Sequence, residues 1–357
     1  MGCWPVRLLT FSEFWTEFAP GKKLGGATIM IANLQMLRGL AALAVVFYHT
    51  DYRLPGNVHT EFQGVAVFFV ISAFIMTYIT RQDASSFLTH RLIRIVPLYW
   101  LCTIAAALPA HADVAAVAKS LLFIPYWNIH HDPQPLLGVG WTLNMEMFFY
   151  GLFALALLAS RRWAPVITSA VIVAIVAVKK HYACDTILCA VYGHDYVVLF
   201  PAGIAVYYLW MALRGRAERF PLATMSIGAM IAAVFLAWQL QILSPLTSWD
   251  GNALPALIVL AALSCESAGW RTGAWALFLG NISYALYLTH TFAIGLGRYG
   301  IDVKQSIWAV LAMLTVSIAV AASAHYLFER PVTALLRGRR PFPRIWSPIT
   351  PEFRLRQ

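Results

Sequence analysis

Residues 34–49, LQMLRGLAALAVVFYH, set an arginine and a histidine on one apolar stretch long enough to cross a bilayer as a helix. Arg38 and His49 stand eleven positions apart. At about 100° and about 1.5 Å per residue they share nearly one face, roughly 16 Å apart along the axis. A charge inside a membrane span costs on the order of 3 kcal/mol or more, so an ionisable side chain kept there is first a functional candidate. The pair describes a site that runs across the membrane, with a cation near one face and a titratable ring near the other.

Further polar residues interrupt distant apolar stretches. Glu146 lies in WTLNMEMFFYGLF with no basic residue within one helical turn, so its carboxylate needs a partner or a proton. His290 lies in SYALYLTHTF. Arg91 and Arg94, in HRLIRIVP, are spaced i, i+3 and face one side of a helix. Each guanidinium is a planar fork of donors that suits a phosphate. Each also has a plainer reading. His49 fits as an interfacial histidine, Arg38 as a side chain snorkelling to headgroups, and loop arginines as the usual cytoplasmic excess. Ser72, in FFVISAF, reads as a helix-packing serine and not as a nucleophile, because no histidine lies at its depth. His49, Glu146 and His290 form the candidate catalytic set; Arg38, Arg91 and Arg94 form the candidate anion-binding set.

The elements that position these residues are membrane helices. Of 357 residues, 60% are hydrophobic and 12% charged, against about 25% charged in soluble domains. This composition predicts an all-α, polytopic integral membrane protein. The net charge of +10 does not indicate nucleic acid, because the basic residues are scattered between apolar spans and form no single face. The five cysteines show no metal-type spacing; Cys184 and Cys189 share a short loop and are able to pair if it faces an oxidising side. The first thirty residues lack the apolar core and cleavage site of a signal peptide, and Met30 is an alternative start just before the first span.

Apolar runs at about 33–50, 63–80, 94–109, 141–159, 164–179, 190–210, 221–241, 253–266, 274–294 and 306–328 predict about ten transmembrane helices. Segment 114–127 reads as an interfacial helix, and 81–97 as a loop. With the N-terminus inside, 20 Lys and Arg fall on the cytoplasmic side and 6 on the other, which predicts cytoplasmic termini in a plasma (inner) membrane protein. The divisions are an N-terminal extension at 1–32, a membrane domain at 33–329 and a basic tail at 330–357. In this topology Arg38 lies near the cytoplasm. His49, Glu146 (about 8 Å below the outer end of its helix) and His290 reach similar depths near the outer face.

Together these motifs resemble the acyltransferase-3 family of bacterial membrane O-acyltransferases over about residues 33–330. The resemblance is carried by Arg38 with His49, by GVAVFFVISAF, by Arg91 with Arg94, by WTLNMEMFFY, by ISYALYLTH, and by FERP at Glu329 and Pro331. The wording of WTLNMEMFFY is most similar to exopolysaccharide acetyltransferases. One departure is Ala73, where the family usually has glycine; its methyl group threatens the packing of a neighbouring helix.

The resemblance implies an acyl-CoA donor, acetyl-CoA by default, and a carbohydrate hydroxyl as acceptor, on an exopolysaccharide or its lipid-linked precursor. It further implies the lipid bilayer as surroundings and a polysaccharide synthesis complex as a partner. In that scheme the arginines hold the CoA phosphates. His49 acts as general base or carries the acyl group as an acyl-imidazole, and Glu146 orients the ring. A transporter of glycolipid or polysaccharide is the competing class, since buried charges fit it also. Pseudo-symmetric halves and broken mid-membrane helices, frequent in transporters, are not evident in the sequence.

Overall fold

The computed structural model describes residues 31–54, 58–59, 64–82, 87–182, 184–240, 253–297 and 306–338. The stretches 1–30 and 339–357, with Met30 and most of the basic tail, lie outside the described residues. Regular structure is helical apart from a short antiparallel ladder, Arg53–Leu54 against Val58–His59. The helices are α1 Ala32–His49, α2 Gly64–Gln82, α3 Phe87–Ala107, α4 Val114–Leu121, α5 Trp141–Ala159, α6 Ala164–His181 and α7 Ile187–Tyr192. They continue with α8 Leu199–Arg219, α9 Pro221–Gln239, α10 Ala253–Ser267, α11 Ala274–Gly297, α12 Ile307–Ala324 and α13 Arg330–Leu336. A π-helical turn, His325–Glu329, joins α12 to α13.

Among the described residues, five segments are long and apolar enough to cross a membrane: Gly138–Ala159, Ala164–His181, Asp195–Arg219, Pro221–Gln239 and Ile307–Leu336. Helices of this length and composition span a bilayer, and they make the chain an integral membrane protein. Helix α1 is not among the five, because Asn33, Gln35, Arg38 and His49 lower its hydropathy. Three expected boundaries shift. Arg91 and Arg94 sit inside α3 and not in a loop, since Leu92, Ile93 and Ile95 between and beside them continue the apolar pattern. The expected span at 190–210 is divided into α7 and α8, with a 3-10 turn over Asp195–Val198 between them. The expected helix at 114–127 stops at Leu121.

The helix ends gather at two ends of the bundle. At one, Arg161 Nε donates to the Thr80 carbonyl at 2.9 Å and Trp210 Nε1 donates to Ser267 Oγ at 3.1 Å. No local side chain caps α1; its first amides, Ala32 N and Asn33 N, donate to the Glu266 carboxylate at 3.1 and 2.9 Å. This anion from the end of α10 satisfies two orphan donors and the positive end of the helix dipole. At the other end, Tyr99 Oη and Trp100 Nε1 donate to the carbonyls of Ser120 and Leu121, both at 2.9 Å, and tie α4 over α3. Cys184 and Cys189 form a disulfide there, and Lys180 pairs with Asp195 on the surface at 3.1 Å.

Small residues bring the central helices into backbone contact. A Cβ on Gly280 of α11 would lie 2.2 Å from the Gln35 carbonyl oxygen of α1, and one on Gly39 of α1 would lie 2.7 Å from Leu279 Cβ. This close crossing holds α1 and α11 side by side, as small residues do in membrane bundles. Helix α2 meets α8 in the same manner, for a Cβ on Gly203 would stand 2.3 Å from the Val70 carbonyl oxygen and 2.9 Å from Ala73 Cβ. The Ala73 methyl therefore displaces nothing, because the helix opposite carries glycine.

Candidate active site

Because α1 lies against α11, the histidines of the two helices meet. The ring centroids of His49 and His290 are 4.8 Å apart. His49 Nδ1 lies 2.8 Å from the Val45 carbonyl oxygen and 3.3 Å from His290 Nε2. His290 Nδ1 lies 2.8 Å from the Tyr287 carbonyl and 3.2 Å from that of Leu286. A carbonyl only accepts, so both rings in their neutral forms carry the proton on Nδ1. His290 Nε2 then accepts from His49 Nδ1–H, and the lone pair of His49 sits on Nε2, the form a general base needs. His290 is fully buried and His49 half-buried.

His49 lines a cavity of about 730 Å³, within the range of small-molecule sites. Its walls come from α1, from Gln134, Gly138 and Val139 of the segment after α4, from Trp141 and Met145 of α5, and from the α7 region with His194 and Tyr196. Val65 and Tyr287 line it too, and both also line a second, narrower cavity of about 80 Å³. That second space is faced by Arg38, Arg91, Arg94, Ser72, Glu146, Tyr150 and Tyr284, drawn from α1, α3, α2, α5 and α11. The two spaces therefore abut at Val65 and Tyr287. The Tyr287 ring is held there by hydrogen bonds of its hydroxyl with the Val139 carbonyl at 2.9 Å and the Thr142 hydroxyl at 2.8 Å.

The narrow cavity is strongly basic. Arg38 Nη1 donates to Gln35 Oε1 at 3.0 Å. Among the described residues, Arg91 and Arg94 make no hydrogen bond or salt bridge with the protein. Among the described residues Glu146 is the one carboxylate in the lining of this cavity, and the buried Glu329 lies within electrostatic range of Arg38 as well. Glu146 Oε1 accepts from Ser72 Oγ and from Tyr150 Oη, and those two hydroxyls lie 3.0 Å apart. Three guanidinium groups against these two carboxylates leave a net positive charge, which suits an anionic ligand.

The six residues singled out in the sequence thus divide between two adjacent cavities. Arg38, Arg91, Arg94 and Glu146 face the narrow one, His49 faces the large one, and His290 lies behind His49. The contact expected between Glu146 and the His49 ring belongs instead to His290, since Glu146 turns toward Ser72 and Tyr150 across the bundle. Tyr150 was legible as the i+4 neighbour of Glu146. Ser72 carries in the sequence only the signal of a hydroxyl in mid-helix; in the structure that hydroxyl ties α2 to α5 through Glu146. Glu329, from the FERP motif, is buried and accepts from His325 Nδ1 at 2.8 Å across the π-helical turn.

A family model described as an acyltransferase domain, acyltransferase-3, matches residues 31–326. The exopolysaccharide production protein ExoZ of Rhizobium meliloti is 31% identical over 292 residues, covering 78% of this chain and 91% of that protein. Nodulation protein 10 of Rhizobium leguminosarum bv. viciae is 25% identical, covering 85% of this chain and 93% of its own length. The putative peptidoglycan O-acetyltransferase YrhL of Bacillus subtilis is 24% identical over 88% of this chain, which spans only 56% of that protein. No solved structure matches the chain.

Proposed function

The chain belongs to the acyltransferase-3 family and is an O-acyltransferase, and from that premise we propose that it moves an acetyl group from cytoplasmic acetyl-CoA to a carbohydrate hydroxyl of an exopolysaccharide or its lipid-linked precursor. The observation that carries this reading is the pair of abutting cavities, one lined by arginines and the other by His49. Arginines at one end suit the phosphates of CoA as charge-assisted, bidentate donors. The pantetheine arm would run from the arginines past Ser72 and Glu146 toward Tyr287. The large cavity has room for a sugar.

In this reading His49 Nε2 takes the proton of the acceptor hydroxyl as its oxygen attacks the thioester carbonyl. The tetrahedral intermediate collapses, the C–S bond breaks, and the CoA thiolate leaves with the proton returned from the imidazolium. The alternative order, attack by the ring itself to give an acyl-imidazole, uses the same lone pair. His290 holds the ring that does either; it is a positioning residue, for it faces neither cavity. Glu146 balances the arginines and fixes the hydroxyls of Ser72 and Tyr150 beside the donor path.

About ten spans, cytoplasmic termini and an inner-membrane location complete the proposal. The excess of basic residues at one end of the bundle supports that orientation, and so does the Cys184–Cys189 disulfide at the other, since disulfides persist where the compartment is oxidising. The test is NMR of the polysaccharide from cells with the protein present, deleted, and carrying His49→Ala. Loss of O-acetyl signals in the last two is expected. Full acetylation with His49→Ala would remove the histidine from the chemistry, and unchanged acetylation in the deletion would remove the protein.

A further inference from the structure

The large cavity has one wall built of aromatic rings. Trp141 opens α5, His194 precedes the 3-10 turn after α7, and Tyr196 lies within it. Their ring centroids are 5.8 Å apart for Trp141 and His194, 5.9 Å for Trp141 and Tyr196, and 5.1 Å for His194 and Tyr196, the last pair stacked at 26°. All three line the cavity that His49 lines, and all three are half-buried. Gln134 lines the same space, and among the described residues its amide bonds no protein group.

We propose that Trp141, His194 and Tyr196 form an acceptor subsite, in which one sugar ring of the carbohydrate lies with its C–H face against the Trp141 ring, itself tilted 52° and 32° to the stacked His194 and Tyr196 beside it. The inference rests on reading the His49 cavity as the acceptor side. A pyranose has an apolar face of C–H bonds and a rim of hydroxyls. It therefore needs a flat aromatic surface together with a few fixed polar groups. A lipid chain would leave those polar groups unused.

The polar groups have defined roles. The backbone N–H of Tyr196 donates to His194 Nδ1 at 3.2 Å, so in the neutral ring the proton is on Nε2. Burial, and then the nearby Lys179 charge, push the His194 ring below its ordinary range and favour that neutral form. His194 thus offers the sugar an N–H donor, and Gln134 offers both a donor and an acceptor. Tyr48 and Thr291 add hydroxyls to the same lining. Such a wall selects which sugar ring, and which of its hydroxyls, comes to His49.

The test uses the purified full-length protein in lipid nanodiscs, radiolabelled acetyl-CoA, and base-deacylated polysaccharide from the source cells as acceptor probe. Removing one aromatic platform with Trp141→Ala is expected to raise the acceptor concentration for half-maximal rate about tenfold, with a smaller rise in His194→Ala. Trp141→Phe, which keeps a flat ring, should restore most of the loss. The acetyl-CoA concentration for half-maximal rate should move far less than that for the acceptor in every variant. An unchanged acceptor dependence in Trp141→Ala, or a parallel rise for both substrates, overturns the subsite. Failure of the underlying reading shows separately, as no label transferred by the unsubstituted protein or as transfer retained in His49→Ala.

Discussion

His49 and His290 touch, yet the structure assigns them very different losses on truncation. His49→Ala removes the base itself, and a positioned general base contributes about 10²- to 10⁴-fold. His290→Ala removes one acceptor for His49 Nδ1–H, the one at 3.3 Å. The Val45 carbonyl at 2.8 Å stays and still selects the reactive tautomer. One neutral hydrogen bond is worth about 0.5–1.5 kcal/mol, so His290→Ala should slow transfer by about two- to thirteenfold. The side chain is fully buried against Leu286 and Tyr287, so thermal unfolding in detergent must accompany the assay to separate lost stability from lost rate. The assay is acetyl transfer at saturating acetyl-CoA and saturating acceptor, normalised to folded protein. A loss in folded His290→Ala as deep as that in His49→Ala would refute the reasoning, because it would mean that His290 meets the reacting atoms or that the Val45 carbonyl does not hold the ring.

Three other outcomes follow from the geometry. Arg91→Ala combined with Arg94→Ala should raise the acetyl-CoA concentration for half-maximal rate by at least about tenfold, since each charge-assisted hydrogen bond is worth about 1.5–3 kcal/mol; an unchanged donor titration would take the pair out of donor binding. Ser72→Ala deprives Glu146 of one of its two hydroxyl donors and should lower the unfolding temperature and the transfer rate together, whereas wild-type behaviour in both would show that the carboxylate is held without it. Gly203→Leu should abolish recovery of folded protein on size-exclusion chromatography, because even a Cβ there would meet the Val70 carbonyl at 2.3 Å; Ala73→Gly, which only removes a methyl from that crossing, should be recovered normally.

Much of the site was written in one dimension. The helical period alone puts Arg38 and His49 on one face, and Arg91 beside Arg94, because residue spacing sets angle whatever the neighbours are. An ionisable side chain in an apolar stretch is costly enough to be noticed without coordinates, which is how Glu146 and His290 came forward. The all-helical class follows from the composition, since a chain in lipid must satisfy its backbone internally. Helix α3 begins at Phe87, ahead of the apolar run at 94–109, because two arginines interrupt the hydropathy without interrupting the helix. In a bundle the same residues point inward to a polar cavity, and the helix continues around them.

What only the tertiary structure decided is which partners lie far apart in the chain. Glu266 caps α1 from the end of α10, Ser72 of α2 meets Glu146 of α5, and His290 of α11, not Glu146, stands behind His49. Depth along each helix is a property of one segment; it groups His49, Glu146 and His290, yet Glu146 shares a cavity with Arg38, Arg91 and Arg94 and not with the histidines. Rotation and neighbourhood belong to pairs of segments, set by close crossings such as Gly39 of α1 against α11 and Gly203 of α8 against α2. The α1–α11 crossing brings His49 to His290, while Glu146 faces the arginines from α5, so one expected pocket becomes two with Val65 and Tyr287 in both linings.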